Sequence, residues 1–362
     1  MKAINVLSLF DGMSCGQIAL ERSGIKVHKY YSSEIDKYAI KVTQENYPNT
    51  IQLDDIIKWR EWDIDWKTID IVMAGSPCQG FSFAGKQLNF DDPRSKLFFV
   101  FIDILNHIKT LNPNVIFLLE NVKMKKEYQD IISNNLGVEP IFINSALVSA
   151  QSRKRLYWTN IPNLSIPEDK EIYLRDILEH GVVDRDKSYC IDANYFKGGN
   201  LKQYFEKSRR QLVFNKTERV CSYGKGGQAQ RVYNTDGKSV SLSALGGGQG
   251  AKTGLYAVAQ RGRNIVDGKR LDFKGAKTVQ RYECSYSEKS NCLTSVAKDS
   301  YVLDVNGDYY VVRKLTPIEC ERLQTVPDNF TNHVSNSQRY KMLGNGWTVD
   351  VIAHIFNNMK IL

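Results

Sequence analysis

The first 160 residues alternate short apolar runs with amphipathic stretches, and this rhythm constrains the fold more than any other feature of the chain. Residues 4–10, 27–32, 69–74, 115–119, 139–146 and 155–159 read as strands, whereas 17–23, 37–46 and 96–110 carry apolar residues at helical spacing. Strand and helix in alternation predict an α/β domain, a parallel sheet with helices on both faces. Such sheets bind their ligands beyond the carboxyl ends of the strands. Two of the runs end there in reactive side chains. Residues 69–74 lead into Gly75-Ser76-Pro77-Cys78-Gln79-Gly80-Phe81-Ser82, and 115–119 lead into Glu120-Asn121-Val122. A thiol and a carboxylic acid at two strand tips point to covalent chemistry on an electron-poor ring, with the acid activating that ring.

Beyond Pro162 the texture changes. Residues 197–281 hold 14 of the 25 glycines, and helical periodicity nearly vanishes. The same stretch carries 18 Lys plus Arg against 5 Asp plus Glu, a net +13, which leaves −4 for the rest of a chain whose total is +9. A basic excess confined to one segment, interleaved with Tyr, Phe and Gly, favours a nucleic acid partner over a merely solvated loop region. A short pattern recurs nearby as Lys187-Ser188-Tyr189-Cys190-Ile191, Lys238-Ser239-Val240-Ser241-Leu242 and Lys289-Ser290-Asn291-Cys292-Leu293, with starts 51 residues apart both times. Equivalent turn-to-strand units in an irregular, largely β insertion would produce it, and so would chance similarity among short polar motifs.

Helical texture resumes at Arg313. Thr316 caps a helix with Pro317 in its first turn and Glu319 at the capping-box position. Gly344-Asn345-Gly346-Trp347 then leads into a last helix over 349–359. The α/β domain is therefore expected over 1–165 and 313–362, with 166–312 inserted into it. The 7 cysteines and 5 histidines are scattered without metal-ligand spacing, so no metal site is expected. No apolar run approaches the roughly 20 residues needed to cross a bilayer, and no secretory signal opens the chain, which makes a cytoplasmic location the expectation.

The remaining strand tips read as a nucleoside site. Residues 7–16 form a strand, a tight glycine turn and a helix start, a geometry that lets a ligand approach the backbone or simply makes a turn. Glu34 ends the second strand, where a carboxylate can accept both hydroxyls of a ribose. Asp55 ends the next segment, where it could meet an adenine amino group. Ordinary surface charge is the alternative for both.

Together these motifs resemble one family closely, the cytosine-C5 DNA methyltransferases. Phe10-Asp11-Gly12 with Gly16 is similar to the family's first motif, in the variant seen in animal de novo enzymes and some phage enzymes. Pro77-Cys78-Gln79 resembles the nucleophile loop, Glu120-Asn121-Val122 the acid motif, and Gln151-Ser152-Arg153-Lys154-Arg155 the paired-arginine motif. Asp92, Arg94 and Leu97 resemble the segment between loop and acid, and 313–330 and 341–356 resemble the closing motifs. Order and spacing agree over roughly residues 4–160 and 313–358. The chain departs from the family at Ser14-Cys15, where a second glycine pair is usual, and at Gly346-Trp347, where most bacterial members carry Ser-Val.

The resemblance implies a Rossmann-like S-adenosylmethionine-dependent methyltransferase domain with an inserted, mostly β or irregular target-recognition domain. It implies S-adenosylmethionine as cofactor, held by Phe10, Asp11, Gly12, Gly16, Glu34, Ile35, Asp55, Ile56, Pro77, Leu97, Asn345 and Trp347. Cys78 would attack C6 of cytosine, Glu120 would hydrogen-bond N3 of the ring, Arg153 and Arg155 would hold O2 and a phosphate, and Asn121 would orient the acid. The target must be flipped out of its duplex first. Ser82, Arg231 and Arg281 are the candidate DNA contacts, the two arginines serving equally well as solvent-facing charges. The partner implied is double-stranded DNA. A monomeric prokaryotic or phage enzyme is expected, with any restriction endonuclease acting separately. A tRNA cytosine methyltransferase keeps the chemistry but leaves so long a basic insertion unexplained. A catalytically silent DNA-binding regulator predicts damaged motifs, and a dinucleotide oxidoreductase leaves Cys78 without a role.

Overall fold

The computed structural model describes residues 3–76, 93–198, 201–216, 219–222, 231–233, 259–263, 265–266, 269–270, 279–283, 301–305 and 308–359; for 93–95, 202–203 and those of these residues that fall within 216–312 only the backbone course is described. Seven strands form the main sheet: β1 (Ile4–Leu9), β2 (Val27–Ser33), β3 (Ile51–Gln52), β4 (Ile69–Ala74), β5 (Ile116–Val122), β6 (Ile141–Asn144) and β7 (Lys154–Thr159). Among the described residues eight α-helices occur: α1 (Cys15–Arg22), α2 (Lys37–Asn46), α3 (Pro93–Leu111), α4 (Lys126–Leu136), α5 (Leu201–Lys207), α6 (Pro317–Leu323), α7 (Asn336–Asn345) and α8 (Val349–Asn357).

The strand order is β3-β2-β1-β4-β5-β7-β6. Pairs from β3 through β5 are parallel, as the alternation of strands and helices predicts. β7 departs from that prediction, lying antiparallel to both β5 and β6. Only residues 145–153 separate β6 from β7, too few for the crossover of a dozen or more residues that a parallel return needs. The chain therefore doubles back and slots β7 between its neighbours.

Successive side chains of a strand point to opposite faces, and the core divides accordingly. Val6, Met73, Leu118 and Tyr157 belong to one buried cluster, while their neighbours Leu7, Val72, Leu119 and Trp158 belong to the other. α3 fills the second cluster with Phe98, Phe101, Ile104, Leu105 and Ile108. α8, apolar nearly all round, fills the first with Val349, Val351, Ile352, Ile355 and Phe356. The carboxyl-terminal segment thus completes a domain begun at the amino end. α6 starts on the expected capping box: Thr316 Oγ1 accepts from Glu319 N at 3.1 Å, and Thr316 N donates to Glu319 Oε2 at 2.8 Å.

Leu174, Ile177, Ile191, Tyr195 and Val213 pack into the same cluster as the sheet, so the expected boundary at residue 166 falls inside the shared core. The chain leaves and returns through antiparallel partners, Leu212–Lys216 beside Asp308–Lys314, with Tyr301–Val305 on the outer edge. Between them lie short antiparallel pairs, Arg219–Ser222 with Arg231–Tyr233 and Ala259–Arg263 with Val279–Glu283. Of the recurring Lys-Ser pattern, only the copy at 187–191 is described; those at 238–242 and 289–293 lie outside the described residues. No helix among the described residues is long and apolar enough to cross a membrane.

Candidate active site

The carboxyl ends of β1, β2, β4, β5 and the start of β7 meet along one edge. The turn after β1 is wound by left-handed residues, with φ of 57° at Phe10, 60° at Gly12 and 61° at Ser14. Asp11 faces inward. Its buried carboxyl accepts from Ser14 Oγ, from Tyr30 Oη at 2.7 Å and from Ser32 Oγ at 3.0 Å, and burial pushes its pKa upward. Asp11 therefore staples β1 to β2, although the sequence placed it among the ligand contacts.

Glu34 holds the turn from the other side. Its Oε2 accepts from Gly12 N at 2.8 Å, and its Oε1 accepts from Ile35 N and Asp36 N at 2.8 Å each. A carboxylate offers about four acceptor sites, so one position remains for a hydroxyl. Beside it Ile35 is 74% exposed, a large apolar side chain left uncovered at a strand tip. Asp55 caps the short helical turn Ile56–Glu61 by accepting from Ile57 N at 3.0 Å. An uncovered isoleucine beside a fixed carboxylate offers an apolar face with one hydroxyl-accepting position next to it.

The other expected cofactor residues divide. Ile56 is buried in the core, which leaves only its backbone for a ligand. Gly16 serves packing: a carbon added there would lie 2.6 Å from Met73 Cε and 2.9 Å from Tyr30 Oη. Leu97, on α3, is half-buried against the second core cluster, and Asn345 is exposed at the end of α7. Trp347 presses its indole on the exit of β4, where a carbon added at Gly75 would come within 2.8 Å of Nε1.

The acid and one arginine meet directly. Glu120 Oε1 is 2.8 Å from Arg155 Nε, joining β5 to β7 at their edge. Asn121 points to the opposite face, where its Nδ2 donates to Ser76 Oγ at 3.1 Å and its Oδ1 accepts from Val122 N at 2.8 Å. The acid strand is thereby tied to the residue two before Cys78. Arg153 does not join this pair: its guanidinium donates to the carbonyls of Ile191 (3.2 Å), Gly344 (3.2 Å) and Gly346 (2.9 Å), with Cys190 Sγ at 3.4 Å. Three of these acceptors are backbone carbonyls and the fourth is the exposed Cys190 thiol, so the guanidinium is held by the protein's own groups, not turned toward Glu120.

Cys78, Pro77 and Ser82 lie outside the described residues. Arg231 and Arg281 lie in the short antiparallel strands of the insertion, Arg281 opposite Arg261. Three residues that sequence reasoning did not single out also shape the edge: Ser76, Gln151 and Gln324. Ser76 and Gln151 stand inside quoted motifs, and Gln324 falls within the closing segment 313–330 without being singled out there.

The chain is similar to known proteins over nearly its whole length. The family model for C-5 cytosine-specific DNA methylase matches residues 4–361. The chain is 30% identical to the Type II methyltransferase M.HhaI of Haemophilus parahaemolyticus, over 99% of this chain and 95% of that one. It is 28% identical to the orphan methyltransferase M.SPRI of Bacillus phage SPR, over 99% and 98%. Among solved structures, the Entamoeba histolytica methyltransferase EhMeth covers 99% of this chain and 98% of its own at a TM-score of 0.56 and 16% identity, a likeness of fold.

Proposed function

The chain belongs to the C-5 cytosine-specific DNA methylases, and we propose that it acts through a covalent bond between Cys78 and C6 of a cytosine swung out of a short duplex site. Its activity is that of a DNA cytosine-C5 methyltransferase, with S-adenosylmethionine as methyl donor. The observation that carries the finer reading is the Glu120–Arg155 pair at 2.8 Å, linked through Asn121 and Ser76 to the strand exit just before Cys78.

Cytosine C5 is a poor nucleophile and needs activation. In the proposed route the Cys78 thiolate adds to C6, and the electrons pushed through the ring make C5 an enamine-like carbon. Glu120, protonated when the base is bound, donates its proton to N3 as negative charge develops on the ring, and Arg155, fixed against Glu120, faces that charge and O2. S-adenosylmethionine, when bound, supplies the activated methyl group. A water or a nearby base then takes the C5 proton, the C5–H electrons re-form the ring double bond, and Cys78 leaves C6 as the thiolate. Ile35, Glu34, Asp55 and Trp347, with the turn at Phe10 and Gly12, are the residues that would hold the cofactor; Pro77, Leu97 and Asn345 would border it.

None of this chemistry reaches a stacked base, so extrusion comes first, at a cost of a few kcal/mol. The basic segment 197–281, with Arg231 and Arg281, would grip phosphates and read base edges, and duplex binding should then weaken steeply with salt. The relatives include both Type II and orphan enzymes; for this chain we propose a methyltransferase that acts alone, any endonuclease partner working separately. Labelled methyl transfer compared on unmethylated duplex DNA and on tRNA tests the assignment. Incorporation into duplex cytosine is the expected result, and incorporation into tRNA alone would overturn it.

A further inference from the structure

Gln151, Arg153 and Arg155 alternate along one stretch of chain, yet only Arg155 reaches the acid. The other two turn into a buried polar network. Gln151 and Gln324 are fully buried, Thr348 and Arg153 nearly so. Arg153 Nη2 donates to Gly344 O and Gly346 O, carbonyls at the carboxyl end of α7 that have no partner further along the helix. Gln324 Nε2 donates to Leu343 O (2.6 Å) and to Gly346 O (3.2 Å), and its Oε1 accepts from Thr348 Oγ1 at 2.9 Å. Every one of these bonds falls on the residues around Trp347.

The same network grips a second segment. Arg153 Nη1 donates to Ile191 O, and Gln151 Oε1 accepts from Ile191 N at 2.8 Å, so both backbone groups of Ile191 are taken. Ser188 pairs alongside, its N donating to Ala150 O (2.7 Å) and its O accepting from Ser152 N (3.0 Å). Behind Gly344 the contact is close enough that an added carbon would lie 2.2 Å from the carbonyl carbon of Asp192. Two stretches far apart in sequence, 188–192 and 343–348, are thus locked together by side chains from the paired-arginine motif.

We infer that Arg153, with Gln151 and Gln324, is a positioning residue that sets the Trp347 wall of the cofactor site and anchors the root of the target region to it, rather than a group that touches the base. The inference rests on the reading that Trp347 lines that site. A guanidinium spans the two α7 carbonyls and Ile191 O at once, which an ammonium cannot do although it keeps the charge.

The test uses the full chain, S-adenosylmethionine and unmethylated duplex DNA, with cofactor Kd measured by calorimetry and kcat measured at saturating cofactor. Arg153→Lys should raise the cofactor Kd about tenfold while kcat stays within about threefold. Arg155→Lys should do the reverse, lowering kcat with Kd unchanged. Thr348→Val, close to threonine in shape, removes one bond of the network and should raise Kd about threefold. A general loss of packing would lower kcat and melting temperature together without this split. The inference is overturned if Arg153→Lys lowers kcat and leaves Kd within twofold. Should that variant fail to fold, an unchanged Kd in Thr348→Val overturns it equally. Failure of the wild-type chain to bind cofactor would instead reject the cofactor-site reading beneath it.

Discussion

Replacing Gly75 with alanine measures how firmly the closing motif is pressed against the exit of β4. A carbon added there would lie 2.8 Å from Trp347 Nε1, 3.3 Å from Cε2 and 3.4 Å from Cζ2. Gly75 does not have a left-handed backbone, so crowding by the indole accounts for the cost. At 8% exposure the ring cannot swing aside without disturbing the core around it. Overpacking of this kind costs about 1–3 kcal/mol. Removing the indole should reverse the sign. In a Trp347→Ala background the new methyl loses its three nearest neighbours, and alanine's stiffer unfolded chain favours folding by about 0.4–1 kcal/mol. The coupling between the two sites should therefore reach about 2 kcal/mol. Urea unfolding of the wild type, both single variants and the double variant, without cofactor, gives this coupling from midpoint shifts at constant m. An equal cost for Gly75→Ala in both backgrounds would refute the argument that the indole bears on this strand exit.

Three further outcomes follow from the same geometry. Gly344→Ala forces a carbon to 2.2 Å from backbone atoms of Asp192, which no rotamer relieves, so the loss should exceed about 3 kcal/mol; wild-type stability in thermal unfolding would contradict this. Among the described thiols, native alkylation at pH 8 should label exposed Cys190 and spare Cys15 and Cys320, because burial pushes the Cys15 pKa up to about 12 and raises that of Cys320 as well; peptide mapping showing Cys15 labelled as fast as Cys190 would refute it. Burial raises the Asp11 pKa above its ordinary 3.8, so the folded chain keeps a proton that the unfolded chain releases. Its contribution to stability is therefore present at low pH and lost as pH rises from 3.8 through the raised value. Asp11→Asn, with no proton to release, should flatten that part of a midpoint-against-pH profile, and an unchanged slope would contradict it.

The sheet and its reactive edge were legible because hydrophobic period and strand-tip chemistry are both local. Glu120 and Arg155 were each legible on a strand of their own, whereas their direct pairing is visible only in the structure. Strand direction was less legible: the reversal of β7 depends on the length of its connection, and residues 145–153 look no different from the other loops. α4 escaped notice because Ser133, Asn134 and Asn135 mask the spacing of its buried Tyr128, Ile132 and Leu136. α7 has the same difficulty, its polar surface concealing Tyr340, Met342 and Leu343. Side-chain direction was least legible of all. Asp11 turns inward because Tyr30 and Ser32 of the neighbouring strand await it, and Arg153 turns away from the acid because carbonyls nearly two hundred residues later draw its donors. Both partners are set by tertiary structure, which no local pattern encodes.

The central claim is a transient bond from Cys78 to C6 of an extruded cytosine. A duplex carrying 5-fluorocytosine in place of cytosine tests it most directly, since fluorine at C5 cannot depart as a proton would. Incubated with S-adenosylmethionine, the wild-type chain should form an adduct that survives denaturation, its cross-linked peptide should map to Cys78, and Cys78→Ala should form none. Methyl transfer to ordinary duplex DNA by Cys78→Ala at the wild-type rate, or an adduct mapping to another residue, would contradict the account.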